Sequence, residues 1–252
     1  SFLYAPSTGT LLNAGAAQTL SVDFTPTNTN NYITVTNKTA EITVNKINLT
    51  AKADNKTRSY GSVNPTLSAT YTGFVNGEIS SVLDTQPLIS TNATVISNAG
   101  NYPITISGGV DNNYNFTYTP GTLAITKATL TATADDKSRL LATPNPTLTI
   151  RYDGFVNSDA PTDLDVLPIA TTTATLASPL GGYPIIVSGG SDNNYSFTYA
   201  PGTLTINPNF PPTVKNFQID TNEDQQFNFA YETFAANFIS FSGSPIVVIK
   251  II

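Results

Sequence analysis

The sequence predicts an all-β, β-rich protein made of small modules in tandem. Three observations carry that expectation. First, residues 47–127 lie on the stretch that follows them at one constant offset and without a gap: Leu49 falls on Leu130, Lys56 on Lys137, Arg58 on Arg139, Tyr71 on Tyr152, Tyr102 on Tyr183, Tyr114 on Tyr195 and Leu123 on Leu204. About half the aligned positions are identical, the pattern of an array of autonomous modules rather than one large domain. Second, short segments alternate apolar and polar residues, as in Leu49-Thr50-Ala51-Lys52-Ala53, which is the period of a half-buried strand. Third, the chain is rich in Thr, Asn and Ser, and only 11% of it is charged. Thr fits a pleated strand, while Asn, Gly and Pro supply turns.

The elements of the first repeat follow in order. A strand is expected at 49–53. Tyr60-Gly61 and Asn64-Pro65 read as turns, and Leu67–Tyr71 as a strand ending at Gly73-Phe74. Gly77–Leu83 is long enough for one or two helical turns. In the second copy Ser158 or Asp159 is the expected N-cap, with Pro161 in the first turn. Strands are then expected near 89–96, 102–107, 114–118 and 122–126. Each repeat therefore has five or six strands and one short helix. First and last strands that enter at one end and leave at the other suit a parallel central pair. That favours a β-grasp-like arrangement, with an Ig-like sandwich as the alternative.

The modules divide as 1–46, the later part of a different strand-rich module, then 47–127, 128–207, and 208–252. Leu20–Phe24 and Ala40–Val44 are the expected strands of the first piece. At the junctions the buried rows change parity, from Leu123 and Ile125 to Leu130, Ala132 and Ala134, and from Ile42 and Val44 to Ile47, Leu49 and Ala51. No Gly/Ser or Pro linker separates them. The expectation is an extended, stiff rod. Asn207-Pro208-Asn209-Phe210-Pro211-Pro212 is the one clear linker. With strand sequence at both ends, the chain reads as an internal stretch of something longer.

Composition removes several functions. The chain has no Cys and no His, so thiolate chemistry, the Ser-His-Asp triad and the commonest zinc ligand are absent. Its net charge is −6 and its pI about 4.4, which disfavours nucleic acid and anionic lipid as partners. No apolar run approaches the ~20 residues that span a bilayer. Asp54 and Asp135 are copies of one position and read as turn acids, not as a catalytic carboxylate pair. The chain is expected not to be an enzyme.

Two candidate sites remain. Tyr114, Phe116 and Tyr118 share one face of a strand, as do Tyr195, Phe197 and Tyr199. Such rows fill cores, and when exposed they stack on sugar rings. Calcium is the one cofactor that the oxygen-rich segments suit. Its candidate ligands are Asn207, Asn209, Glu223 and Asp224 across the linker. Asp111-Asn112-Asn113, Asp192-Asn193-Asn194, and Asp153, Asp159, Asp163 and Asp165 are secondary sources of oxygen.

Residues 49–61 (Leu-Thr-Ala-Lys-Ala-Asp-Asn-Lys-Thr-Arg-Ser-Tyr-Gly), 71–77 (Tyr-Thr-Gly-Phe-Val-Asn-Gly), 101–109 (Asn-Tyr-Pro-Ile-Thr-Ile-Ser-Gly-Gly) and 118–126 (Tyr-Thr-Pro-Gly-Thr-Leu-Ala-Ile-Thr) resemble the MBG repeat of the YGX type. The resemblance covers both repeats. The second departs at the signature, where Leu141-Ala142 replaces Tyr60-Gly61, so a turn that needs Gly there must be rebuilt. Residues 1–46, with Tyr4-Ala5-Pro6, Asn13-Ala14-Gly15 and Asn30-Asn31-Tyr32, resemble the second half of a bacterial Ig-like repeat. Pro211-Pro212-Thr213-Val214 with Thr221-Asn222-Glu223-Asp224 looks like the start of a cadherin-like module.

The resemblance implies a large secreted protein displayed on the cell surface, as in Bacteroidota, where export by the type IX system and gliding-motility adhesins are common. The leading expectation is a stalk or spacer in a surface adhesin or filament. One alternative is weak multivalent binding of glycan or protein by the repeats. Another is an accessory region of a secreted polysaccharide-degrading enzyme. Expected partners are neighbouring modules of the same chain, surface glycans, or secretion and motility machinery.

Overall fold

The computed structural model describes residues 1–210 and two short paired strands, Thr213–Val214 and Phe238–Ile239. The chain divides into two compact units, Ser1–Ala128 and Thr129–Ile252.

The first unit opens with strands β1 (Phe2–Ala5), β2 (Gly15–Phe24) and β3 (Val35–Val44), an antiparallel sheet in that order. The expected strands at 20–24 and 40–44 are the ends of longer ones, whose polar remainder carries no period-two signal. Repeat A follows with β4 (Ile47–Ala53), β5 (Lys56–Ser59), β6 (Ala69–Thr72), β7 (Leu88–Thr91), β8 (Gly100–Ser107), β9 (Tyr114–Thr119) and β10 (Gly121–Thr126). They form two sheets, β6-β4-β9 and β5-β10-β8-β7.

The first and last strands do not pair with each other as expected: β4 and β10 lie in different sheets, and each has a different parallel partner. β4 runs parallel to β9 and β5 runs parallel to β10. The two chain segments pair first in the three-stranded sheet, then cross together into the four-stranded one. Two sheets replace the single sheet of a β-grasp layout. The expected helix is one 3-10 turn, Ser80–Val82. It ends at Leu83, whose extended backbone buries the side chain at 8% exposure. The strand expected over 89–96 stops at Thr91, because residues 94–97 close a turn: Ser97 N–H donates to the Thr94 carbonyl (3.0 Å) and Thr94 N–H to Ser97 Oγ (2.9 Å).

Repeat B has the same parts: β11 (Ala128–Ala134), β12 (Lys137–Leu140), β13 (Ile150–Asp153), β14 (Val166–Thr172), β15 (Gly181–Ser191), β16 (Tyr195–Ala200) and β17 (Gly202–Asn207). Its sheets are β13-β11-β16 and β12-β17-β15-β14. The 3-10 turn is Pro161–Asp163, with Pro161 at its first position as expected. The expected caps are not used. Ser158 takes φ +68°, Ala160 is the N-cap, and the Asp163 carboxylate accepts the Ala160 N–H at 2.8 Å.

Alternation sets the core. Leu49, Ala51 and Ala53 on β4, Ile104 and Ile106 on β8, and Leu123 and Ile125 on β10 are buried. In repeat B the buried set is Leu130, Ala132, Ala134, Ile185, Val187, Leu204 and Ile206. The buried positions are odd-numbered in β10 and even-numbered in β11, the parity change read from the sequence.

The turn at the signature is not rebuilt in repeat B. Gly61 has φ +76°, and its counterpart Ala142 has φ +62°. Ala142 therefore accepts a left-handed conformation that crowds Cβ against the following carbonyl oxygen. Ala142→Gly is expected to stabilise repeat B by about 1 kcal/mol, the relief of that crowding less the added entropy of an unfolded glycine. The check is slower amide exchange in peptides from 128–207 with 47–127 unchanged; faster exchange in repeat B would contradict it.

Candidate functional site

The aromatic row of each repeat splits into a buried and a half-exposed part. Tyr114 opens β9 at 3% exposure and Tyr195 opens β16 at 3%. Phe74 meets Tyr114 edge-on at 5.3 Å between ring centroids, and Phe155 meets Tyr195 at 5.4 Å. The Tyr114 hydroxyl donates to the Glu78 carboxylate and accepts the Val75 N–H at 3.1 Å. The Tyr195 hydroxyl donates to Asp159 at 2.7 Å and accepts the Val156 N–H at 3.0 Å. Burial, reinforced by the Glu78 hydrogen bond, pushes the Tyr114 phenol above its ordinary value. These first rings are core residues that anchor the loop after β6 or β13.

The second and third rings stack in pairs, Phe116 on Tyr118 at 5.7 Å and Phe197 on Tyr199 at 6.1 Å, with nearly parallel planes. Phe116, Tyr118 and Phe197 are half-buried, and Tyr199 is 43% exposed. Tyr118 accepts the Gly109 N–H at 2.8 Å and donates to the Gly109 carbonyl at 3.3 Å. Tyr199 donates to the Gly189 carbonyl. Phe116 and Tyr118 line an open, shallow depression with Lys46, Val110 and Asn115.

The oxygen-rich turns proposed as calcium sources are occupied by backbone. Asp111, 7% exposed, accepts the N–H groups of Asn113 (2.7 Å), Tyr114 (3.0 Å) and Asp84 (3.3 Å). Asp84 in turn accepts the Asn112 N–H at 2.9 Å. Asp192 and Asp165 repeat this reciprocal clasp on Asn194, Tyr195 and Asn193. The clasp ties the turn before β9 or β16 to the loop after the 3-10 turn, and its N–H bonds at i+2 and i+3 are those of an Asx turn. Asn113 also seats the upstream module: its Oδ1 accepts the Ala14 N–H at 2.8 Å and its Nδ2 donates to Asn13 at 3.2 Å. Lys46 Nζ donates to the Asp111 carbonyl at 2.7 Å. Asp153 is exposed at the end of β13. Asn207 and Asn209 are exposed, and Glu223 and Asp224 lie outside the described residues. The Asn207 carbonyl accepts the Leu141 N–H at 2.8 Å. Among the described residues no group of three or more His, Cys, Asp or Glu side chains converges.

Asp54 and Asp135 lie in separate repeats and pair locally. Asp54 accepts the Ser68 hydroxyl at 2.6 Å and the Thr70 hydroxyl at 2.7 Å. These bonds, Ser68 first, hold its carboxyl below the ordinary 3.8. Asp135 is lowered by the Thr149 hydroxyl, then by the charges of Lys137 and Arg151. A carboxyl whose folded pKa is depressed adds stability above its unfolded pKa, and that stability is lost as pH falls through the folded value. The repeats are therefore expected to weaken below about pH 4, and Asp54→Asn should flatten that acid limb in repeat A. An unchanged limb in an acid titration followed by tyrosine circular dichroism would contradict this.

The residues that sequence reasoning missed are Arg58 and Arg139. Each is a guanidinium at 7% exposure. Arg58 Nε donates to Asn64 Oδ1 (2.8 Å), Nη1 to the Ser59 carbonyl (3.0 Å) and Nη2 to the Thr94 carbonyl (2.5 Å). Asn64 Nδ2 donates to the Ala93 carbonyl at 2.6 Å. Arg139 and Asn145 make the same four bonds to Leu140, Thr175, Ala174 and each other. The signal available was the retention of both residue types at the same spacing in both copies.

Residues 49–124 and 130–205 both match the MBG domain (YGX type). The chain belongs to the MBG domain family of the YGX type. The two matches cover more than half of the chain and coincide with the two repeats. No curated protein matches it significantly. MBG repeats are non-catalytic and typical of extracellular, repeat-containing surface proteins. Among the described residues no helix is long and apolar enough to cross a membrane.

Proposed function

We propose that these MBG repeats form a stalk or spacer in a secreted cell-surface adhesin, carrying a distal part of the protein away from the cell. One observation supports this reading most. In repeat A the entering segment 47–59 runs parallel to the leaving segment 114–126, β4 on β9 and β5 on β10, and in repeat B β12 runs parallel to β17, so the chain enters at one end of the module and leaves at the other. The polar side chains of the repeat also bond mainly within it: the aspartates close turns and the buried arginines bind carbonyls. Neighbouring modules are the partners this reading requires. Surface attachment, with export by the type IX system and a place in gliding motility, is the setting it fits.

The half-exposed ring pairs favour a second reading, in which Phe116, Tyr118, Phe197 and Tyr199 bind glycan weakly and gain avidity from copy number. The deciding experiment presents the full chain, as monomer and as an artificial multimer, to a broad glycan array and to intact cell surfaces. The spacer reading expects no specific binding in either form. Binding that strengthens with valency, and that falls in Tyr199→Ala, would replace it with the second reading.

A further inference from the structure

We propose that each MBG repeat is a mechanical shear clamp, so that tension along the chain is met by two parallel strand pairs loaded together. The inference rests on the spacer reading for its biological setting, but its geometry stands by itself.

Consider the chain segments 47–59 and 114–126. In the three-stranded sheet they pair over six positions, Ile47↔Tyr114 to Lys52↔Thr119. In the four-stranded sheet they pair over four, Leu123↔Lys56 to Thr126↔Ser59. The separation is 67 residues in both sheets, so the register survives the crossing. A side chain bridges the place where the backbone ladder changes sheet: Asn55 Oδ1 accepts the Thr122 N–H at 2.9 Å, again 67 residues away. In repeat B, Asp136 Oδ1 accepts the Thr203 N–H at 2.7 Å, and Lys137↔Leu204 continues the ladder to Leu140↔Asn207. In repeat A the parallel ladder thus runs from the point where the chain enters to the point where it leaves, with Asn55 beside the change of sheet.

Tension pulls residue 47 toward one end of the module and residue 126 toward the other. The two segments must slide along each other, and the evenly spaced, slanted hydrogen bonds of both parallel ladders share the load. An antiparallel pair pulled apart at its open end breaks its bonds one after another. β5 is an edge strand, the natural point of peeling, and the buried Arg58 side chain ties it to Asn64 and to the Thr94 carbonyl beyond β7. Arg139 does the same for β12.

The chain has no Cys, so introduced thiols are unique handles. In the full chain, Asn45→Cys with Lys127→Cys loads repeat A in shear. Leu88→Cys with Ser107→Cys loads the open end of the β7/β8 pair, where these two residues are partners. All four positions are exposed. Single-molecule pulling at one loading rate is expected to give a several-fold higher rupture force for the first pair. Asn55→Ala should lower that force and leave the second unchanged. Lys127→Cys with Asn207→Cys repeats the shear test in repeat B. Equal forces in the two directions in repeat A, or a shear force in repeat B no higher than that of the Leu88/Ser107 pair, would overturn the clamp. Because no ligand is present, that failure is separate from any glycan binding that would overturn the spacer reading.

Discussion

Arg58→Ala is expected to destabilise repeat A by about 3 kcal/mol, because three acceptors lose a charged donor at once and the space of a buried side chain is left empty. The guanidinium serves Asn64 Oδ1 and the Ser59 and Thr94 carbonyls, with no carboxylate among these acceptors. Water cannot easily replace it at 7% exposure. Arg58→Lys should recover only part of the loss, since one ammonium cannot reproduce the planar fork. Asn64→Ala should cost less, and the double variant should fall short of the sum, because the two side chains share one network. Amide exchange resolved by peptide gives the readout, with repeat B as the unaltered control in the same molecule. Unchanged protection across 47–127 in Arg58→Ala would refute the role.

Gly121→Ala is expected to cost repeat A about 3 kcal/mol, the upper end of what overpacking does in a well-packed core. A Cβ at Gly121 would stand 2.6 Å from the Ala53 carbonyl oxygen and 3.0 Å from the Asp54 carbonyl oxygen. These are backbone atoms of the paired strands at the point where both change sheet, so neither side can swing away. An ordinary strand glycine would gain from Ala through the unfolded chain, which makes the sign of the effect diagnostic. Gly202→Ala should behave alike, with its Cβ 2.7 Å from the Ala134 carbonyl oxygen. Gly77→Ala is the comparison, because its Cβ meets nothing within 4 Å and only its φ of +76° is strained. A loss at Gly121 no larger than at Gly77 would show that the close approach is not what requires glycine there.

Much of the candidate site was visible in the sequence as residue type without being visible as role. Tyr114, Phe116 and Tyr118 were legible as one face of a strand, yet their environments differ: Tyr114 is buried edge-on against Phe74, while Phe116 and Tyr118 stack on each other half-buried. Asp111 and Asp192 read equally well as cation ligands or turn formers. Only the positions of the Asn113, Tyr114 and Asp84 N–H groups make them clasps. Arg58 was invisible as a buried group because nothing in a charged residue's neighbours along the chain announces partners 36 residues away.

The sequence by itself determined the repeat, the strand-rich class, the buried parity of the core strands β4, β10, β11 and β17, and the change of parity from β10 to β11. These follow from periodicity and duplication, which are local or internal properties of the string. The parity change expected at 42–51 is not formed, because Ile42 and Ile47 are exposed. The tertiary structure alone decided that the strands fall into two sheets, that the first and last segments cross between them together, and that Ala142 keeps the left-handed turn of Gly61. Period-two alternation says which way a side chain points and nothing about which sheet its strand joins. That choice is made by contacts between segments 67 residues apart, where Gly121 lets two backbones approach and Asn55 carries the ladder across.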